Sequence, residues 1–327
     1  MARAVVIRGP GGVEKLALEE RPVRAPGAGE VAIEVAACGL NRADILQRRG
    51  LYPAPAGAPP DIPGLEYAGT VAAVGDGVTE VTVGARVMGI VGGGAMATNL
   101  IVKARELVRV PDELTLEQAA AIPEVFMTAY DALMVQAGVG LGTRVLIHAV
   151  ASGVGTAAVQ LARVAGATTI GSSRTERKLA RCAELGVAPD RAVHVRDGSF
   201  AAAVKAAGGP VDVVLDLVGG AYLCDNLQVL SSRGWIIVVG LVGGISANLP
   251  LGVLLNKRAR IVGTVLRSRA PEEKAALAQA FAHDVVPLLA DGRLRPIVDA
   301  VLPMDDIAEA HRRMEANDTL GKLVLRW

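Results

Sequence analysis

The residues that could do chemistry concentrate first in the run VLIHAVASGVGTAAVQLARVAGA, Val145 to Ala167. It reads as strand, tight glycine turn and helix, in that order. The strict GxGxxG spacing is not met. Val150 and Ser152 stand where the first two glycines would fall, and Gly155 matches the third, with Gly153 beside it. Backbone N–H groups around Ser152, Gly153 and Val154 can still face a pyrophosphate at the helix N-terminus, where the dipole favours negative charge. Gly155 lets the helix approach the strand closely. The turn therefore reads as a dinucleotide cradle, against the bland reading of an ordinary strand-to-helix turn.

The residues after the next strand refine this. A site for an unphosphorylated dinucleotide usually places Asp or Glu about 20 residues past the turn, on the ribose 2′-hydroxyl. Here the chain runs Gly171-Ser172-Ser173-Arg174-Thr175, with no acid until Glu176. Small hydroxyl residues such as Ser173, the guanidinium of Arg174 and Lys178 one turn on suit a 2′-phosphate, and an arginine can also stack on adenine. This favours NADPH over NADH. The competing reading makes Arg174 and Lys178 solvated charges at a helix start.

Metal chemistry finds little to work with. There is no HExxH and no Cys/His cluster, and Cys38, Cys182 and Cys224 form no CxxC pair. The four histidines are scattered. His148 ends an apolar strand and reads as a satisfied core residue, while His311, beside Arg312 and Arg313, reads as surface. No Ser–His–Asp arrangement is suggested.

The elements that must position these groups fall into two styles. The first third is short strands with Gly and Pro between them: Ala2–Ile7, Val31–Ala36, Gly69–Val74 and Arg86–Gly89. Tyr52 to Pro63 is Pro- and Ala-rich and reads as a loop or a lip. After Pro111 the pattern turns helical, with Thr115 as N-cap, Gln118 completing a capping box and a helix expected through Leu133. From Arg144 strands and helices alternate. Strands are expected at Val145–Ala149, Thr168–Gly171, Val211–Asp216 and Trp235–Val239, with helices at Gly155–Ala165, Arg174–Leu185 and near Tyr222–Leu230. That alternation predicts an α/β fold with a doubly wound parallel sheet. Ile261–Leu266 could extend it. The tail predicts helices over Pro271–Leu289 and Asp305–Ala316 and a last strand at Lys322–Leu325.

Composition narrows the class. Half the chain is hydrophobic (51%) and 20% is charged, which excludes disorder. The formal net charge of +1 favours neither nucleic acid nor an anionic membrane surface. No charge interrupts Gly234–Asn256, long enough to cross a bilayer, but Gly240, Gly243, Gly244, Asn248, Pro250 and Gly252 break it up, so no span is expected. The start lacks the apolar core of a signal peptide, and the sparse cysteines suit a reducing compartment. A cytoplasmic protein is expected.

Longer stretches carry a resemblance. AACGLNRADILQRRGLYPAPAGAPPDIPGLEYAGTVAAVG, IPEVFMTAYDAL and HAVASGVGTAAVQLAR resemble the zinc-free, zeta-crystallin-like quinone oxidoreductases of the medium-chain dehydrogenase/reductase superfamily. The similarity runs essentially end to end. DLVGG, SRGWIIVVGLVGG, LRSR and HRRMEANDTLGKLVL look especially like the NADPH:quinone oxidoreductase branch induced by a tumour suppressor in animals. The resemblance implies a GroES-like β-rich catalytic domain (1–122 and 266–327) interrupted by a Rossmann NADPH-binding domain (123–265). Zinc alcohol dehydrogenases of the superfamily carry Cys where this chain has Asn41 and His where it has Leu65, so no catalytic metal is implied. Glu66 and Asp44 are read as structural acids bonded to backbone or Arg rather than as an acid/base pair.

By the same resemblance, Asn41 and Tyr52 look like substrate-pocket residues and Thr128 like a nicotinamide contact. Leu217, Val218, Gly219, Gly240, Leu241 and Val242 resemble the backbone that cradles the nicotinamide, and Ser268 and Lys322 match positions near the cofactor. The chain departs from the family at Val195, where Tyr is frequent, and at Arg174, where Gly is. The implied activity is NADPH-dependent reduction of quinones without a metal, the protein chiefly positioning an acceptor that is already electrophilic, in a water-poor cleft between domains. In this picture Asn41 hydrogen-bonds the acceptor oxygen. The alternative is an enone or 2-enoyl thioester reductase in which Tyr52 supplies the proton; a third reading is a non-catalytic NADPH-binding protein. A homodimer is implied, through the strand near Ile261.

Overall fold

The computed structural model describes residues 1–196 and 198–327 and divides the chain into two compact units, Met1–Met127 with Leu266–Trp327, and Thr128–Val265. The sequence places the first boundary after residue 122. The unit boundary instead falls inside a helix, after Met127.

The first unit opens with the antiparallel pair β1 (Ala2–Ile7) and β2 (Leu16–Arg21). Then come β3 (Glu30–Gly39), α1 (Arg42–Arg48), β4 (Glu66–Val74), β5 (Arg86–Ile90), β6 (Asn99–Lys103) and β7 (Val108–Arg109). In β3 the alternating Val31, Ile33 and Val35 are buried, the pattern of a strand with one face on a core. Two short helices follow, α2 (Leu116–Ala119) and α3 (Pro123–Tyr130).

The single helix expected through Leu133 is therefore broken. Thr115 and Gln118 do form their capping box, but Pro123 lacks an N–H and disfavours helix in the residue before it. The chain restarts with Pro123 in the first helical position. A π-helical turn, Asp131–Gln136, then closes the segment.

The second unit is a six-stranded, all-parallel sheet in the order β10-β9-β8-β11-β12-β13. Its elements are β8 (Arg144–Ile147), α4 (Gly153–Val164), β9 (Thr168–Ser173), α5 (Glu176–Glu184), β10 (Arg191–His194), α6 (Ala201–Ala206), β11 (Val211–Asp216), α7 (Leu223–Val229), β12 (Leu230–Val238), α8 (Leu251–Lys257) and β13 (Arg260–Gly263). Val145, Leu146 and Ile147 are all fully buried, as strands covered on both faces require. The strand order reverses between β8 and β11, the topological switch point at which ligands of such sheets bind. The uncharged run at Gly234–Asn256 becomes the end of β12, a glycine loop and part of the seven-residue α8. Among the described residues no helix is long and apolar enough to cross a membrane.

The chain then returns to the first unit with α9 (Pro271–Asp284), α10 (Val286–Ala290), β14 (Val298–Pro303), α11 (Ile307–Glu315) and β15 (Lys322–Arg326). The helix expected over Pro271–Leu289 is thus split at Val285. β14 and β15 complete a seven-stranded sheet ordered β14-β15-β3-β4-β5-β7, with β6 also paired to β3. His311 is not at the surface, as expected, but fully buried. Its Nδ1 lies 3.1 Å from Arg48 Nη1. Burial, and then the Arg48 charge, push its pKa down to about 3, so it stays neutral.

Candidate functional site

The second unit builds its candidate site at the ends of β8, β9, β11 and β12. Past β8, Ala149 takes a left-handed conformation at φ 46°, costly for a residue with a Cβ. Ser152 caps α4, its Oγ accepting from Gly155 N at 3.1 Å. A Cβ on Gly155 would stand 2.5 Å from Val150 O and 2.6 Å from Ala149 O, so only glycine lets the helix start this close to the turn. The first N–H groups of a helix have no intrahelical acceptors, and here they are presented at Gly153 and Val154 beside the switch point.

At the end of β9, Ser173 spends its hydroxyl on a local turn, donating to Thr175 O and accepting from Thr175 N. It shapes the loop that carries Arg174, whose side chain is exposed, and Lys178 is half-buried. Ser172 points into the interior instead, with Oγ 2.6 Å from His148 Nδ1.

The loops after β11 and β12 hold each other by backbone. Gly243 N donates to Val218 O, Gly220 N to Gly244 O and Gly240 N to Asp216 O. A Cβ on Gly219 (φ 87°) would meet Gly240 O at 2.8 Å. Beneath them runs a buried polar chain. Asp216 Oδ1 accepts from Val218 N and Gly219 N, its Oδ2 accepts from Asn226 Nδ2, and Asn226 Oδ1 lies 2.7 Å from His148 Nε2. Burial lowers His148 to about 4, so it remains the neutral core residue that the sequence suggests. Leu217, Val218, Gly219, Gly240, Leu241 and Val242 thus form one paired-loop edge. Thr128, buried in α3, belongs to the same unit.

The first unit builds a second cluster. Asn41 precedes α1, and its N–H donates to Asp44 Oδ2 at 2.8 Å, while Asp44 Oδ1 accepts from Gly64 N at 2.9 Å. Asp44 is thus the backbone-bonded acid expected, and burial raises it to about 6. Glu66 is bonded to backbone as expected, at Glu124 N, but its cation is a lysine rather than an arginine. Glu66 Oε1 pairs with Lys322 Nζ at 2.5 Å and accepts from Asn41 Nδ2 at 2.8 Å, while Oε2 accepts from Glu124 N at 2.9 Å. Lys322 also donates to Leu40 O and Asn41 Oδ1.

Two expected roles change here. Lys322, only 3% exposed, spends its three ammonium hydrogens inside the cluster, leaving none for a cofactor. Asn41 has given its amide hydrogens to Glu66 and Gly39 O, leaving none for an acceptor oxygen. Both position Glu66. Ser268 is exposed in the turn before α9 and belongs to this unit.

Arg267, which the site reading missed, is the cluster's second cation. It lies 3% exposed, with Nε on Gly92 O, Nη1 on Tyr52 O and Nη2 on Gln47 Oε1. Its guanidinium sits 5.0 Å from the centre of the Tyr52 ring. It ties α1 to the Pro-rich loop and fixes Tyr52. The signal available was its place in the LRSR motif. Burial pushes the Tyr52 phenol up. Glu124 was also missed; it stands half-buried at the start of α3.

Family models match both units. One, described as an alcohol dehydrogenase GroES-like domain, covers residues 27–112, and another, described as a zinc-binding dehydrogenase, covers 153–282. The chain is 31% identical over 349 residues to the synaptic vesicle membrane protein VAT-1 homolog of Rattus norvegicus, spanning 99% of this chain and 83% of that protein. Among solved structures, a quinone oxidoreductase of Pseudomonas syringae pv. Tomato DC3000 superposes with TM-score 0.89 at 30% identity, covering 100% of both chains. The CurK enoyl reductase superposes with TM-score 0.88 at 29% identity, covering 99% of each.

Proposed function

The chain belongs to the medium-chain dehydrogenase/reductase superfamily of oxidoreductases, and from that premise we propose that it reduces quinones with NADPH and without a catalytic metal. The observation that carries this reading is the Glu66–Lys322–Asn41 cluster. A zinc ion needs thiolate, imidazole or carboxylate ligands. Position 41 offers an amide already bonded, position 65 a buried leucine, and Glu66 is neutralised by an ammonium. Among the described residues no three His, Cys, Asp or Glu side chains form a group that could hold a metal. These residues do not fit zinc. With no Lewis acid to polarise a simple ketone, the acceptor is one that is already electrophilic, and a quinone meets that need.

The cofactor reading rests on residues that fit a phosphorylated dinucleotide. Ser152, Gly153, Val154 and Gly155 would hold the pyrophosphate by backbone N–H groups, and Arg174 with Lys178 the 2′-phosphate. The paired loops at 217–219 and 240–242 offer backbone for the nicotinamide amide. When bound, the reduced dinucleotide supplies a hydride. The chain's own work is to orient both partners, keep out water and manage one proton.

Titration should give tighter binding of NADPH than of NADH, and NADPH oxidation should accelerate with 1,2- and 1,4-quinones. No turnover across such a panel would sink the quinone reading. Similarity to the CurK enoyl reductase and the fixed Tyr52 ring favour a second reading, reduction of an enone or 2-enoyl thioester with Tyr52 as proton donor. Tyr52→Phe separates the two: it should leave quinone turnover nearly unchanged, whereas an enone activity dependent on the phenol would fall by orders of magnitude.

A further inference from the structure

Three carboxyls and two fixed cations share the cluster of the first unit: Glu66 on β4, Asp44 on α1 and Glu124 on α3, with Lys322 on β15 and Arg267 in the turn before α9. Fully ionised, the five groups carry one excess negative charge in a buried setting, which is costly. The hydrogen bonds decide which acid gives way. Glu66 accepts from an ammonium, an amide and a backbone N–H. Asp44 accepts from two backbone N–H groups. Both acids are fully buried. The Glu124 carboxyl accepts no hydrogen bond from a described residue, and its side chain is the partly exposed one.

We propose that Glu124 is held as a neutral carboxylic acid and is the proton donor of the reduction, serving the acceptor oxygen. Burial, and then the neighbouring Glu66, push its pKa up to about 8, with Asp44 adding to the rise while Lys322 and Arg267 oppose it. A donor near the working pH is what proton transfer needs, and the Tyr52 phenol, moved further from it, is the poorer source. The inference rests on the quinone reading above. The hydride of the reduced dinucleotide brings two electrons and one hydrogen to the quinone. The Glu124 O–H bond breaks as an O–H bond forms on the quinone oxygen. Hydroquinone and oxidised dinucleotide result, and the carboxylate regains its proton from water.

The test is Glu124→Gln, which keeps shape and removes the proton, with Glu124→Asp as the conservative companion. Glutamine should lower kcat about 100-fold or more at pH 7, leave NADPH affinity within about twofold of wild type (under about 0.5 kcal/mol), and abolish a fall in kcat near pH 8. Aspartate should recover part of the rate. Infrared spectra at pH 7 should show a protonated-carboxyl band in wild type that is lost in the glutamine variant. A folded glutamine variant with kcat near wild type and the same alkaline limb overturns the assignment, as does a missing band in wild type whatever the turnover. Failure of the quinone reading looks different: wild type itself then turns over no quinone while the band remains.

Discussion

At the scale of single residues, the first unit is organised around one buried ion pair. Glu66 is fully buried and Lys322 nearly so, 2.5 Å apart. Such a pair adds little against an apolar pair of equal volume, but removing one partner strands a charge. Lys322→Met should therefore cost about 3–5 kcal/mol in urea unfolding, and the double variant Glu66→Gln/Lys322→Met should regain most of it. A single variant as stable as wild type would mean that the pair does not hold this cluster together. The pair's neighbours explain why Asn41 and Lys322 changed roles. Their residue types suit substrate or phosphate, but a hydrogen already donated to Glu66 cannot be donated again.

At the scale of elements, function rests on where backbones approach one another. The start of α4 presses against the turn after β8, and Gly155 is the residue that permits it. Gly155→Ala should lower the melting temperature and weaken NADPH binding about tenfold (about 1.4 kcal/mol), read by thermal unfolding with and without the dinucleotide. Unchanged affinity would remove this turn from the pyrophosphate site. The loops after β11 and β12 are fixed by the same logic, with Asp216 and the neutral His148 chain pinning them from below. Short elements escaped the sequence for physical reasons. β10 buries only Val193 fully, and β14 places no residue fully inside, so neither shows the apolar rhythm of a strand.

At the scale of the whole molecule, the six-stranded sheet ends at β13, whose outer edge pairs with no described strand. In the same unit Leu241, Val242, Ile245, Leu251 and Leu255 are exposed. An open strand edge invites a further strand. We propose that a second copy of this chain supplies it, the two sheets continuing through β13. Size-exclusion with light scattering at micromolar concentration should give a dimer, and Ile261→Pro, which removes an edge donor, should give a monomer. A wild-type monomer would sink the proposal.

The sequence by itself determined the class of fold and the place of the glycine turn at its switch point, because both are written in local pattern. Apolar runs alternating with helical patterns fix a parallel sheet, and a glycine turn between strand and helix marks its ligand-binding end. The capping box at Thr115 and the break imposed by Pro123 are equally local. What only the tertiary structure decided is which polar groups remain available. Glu66 and Lys322 lie far apart in the chain, Asp44 and Gly64 meet across a loop, and Arg267 reaches α1 from the returning segment. Pairing among such groups depends on three-dimensional proximity and on the number of hydrogens each can give. Neither leaves a periodic trace in the sequence.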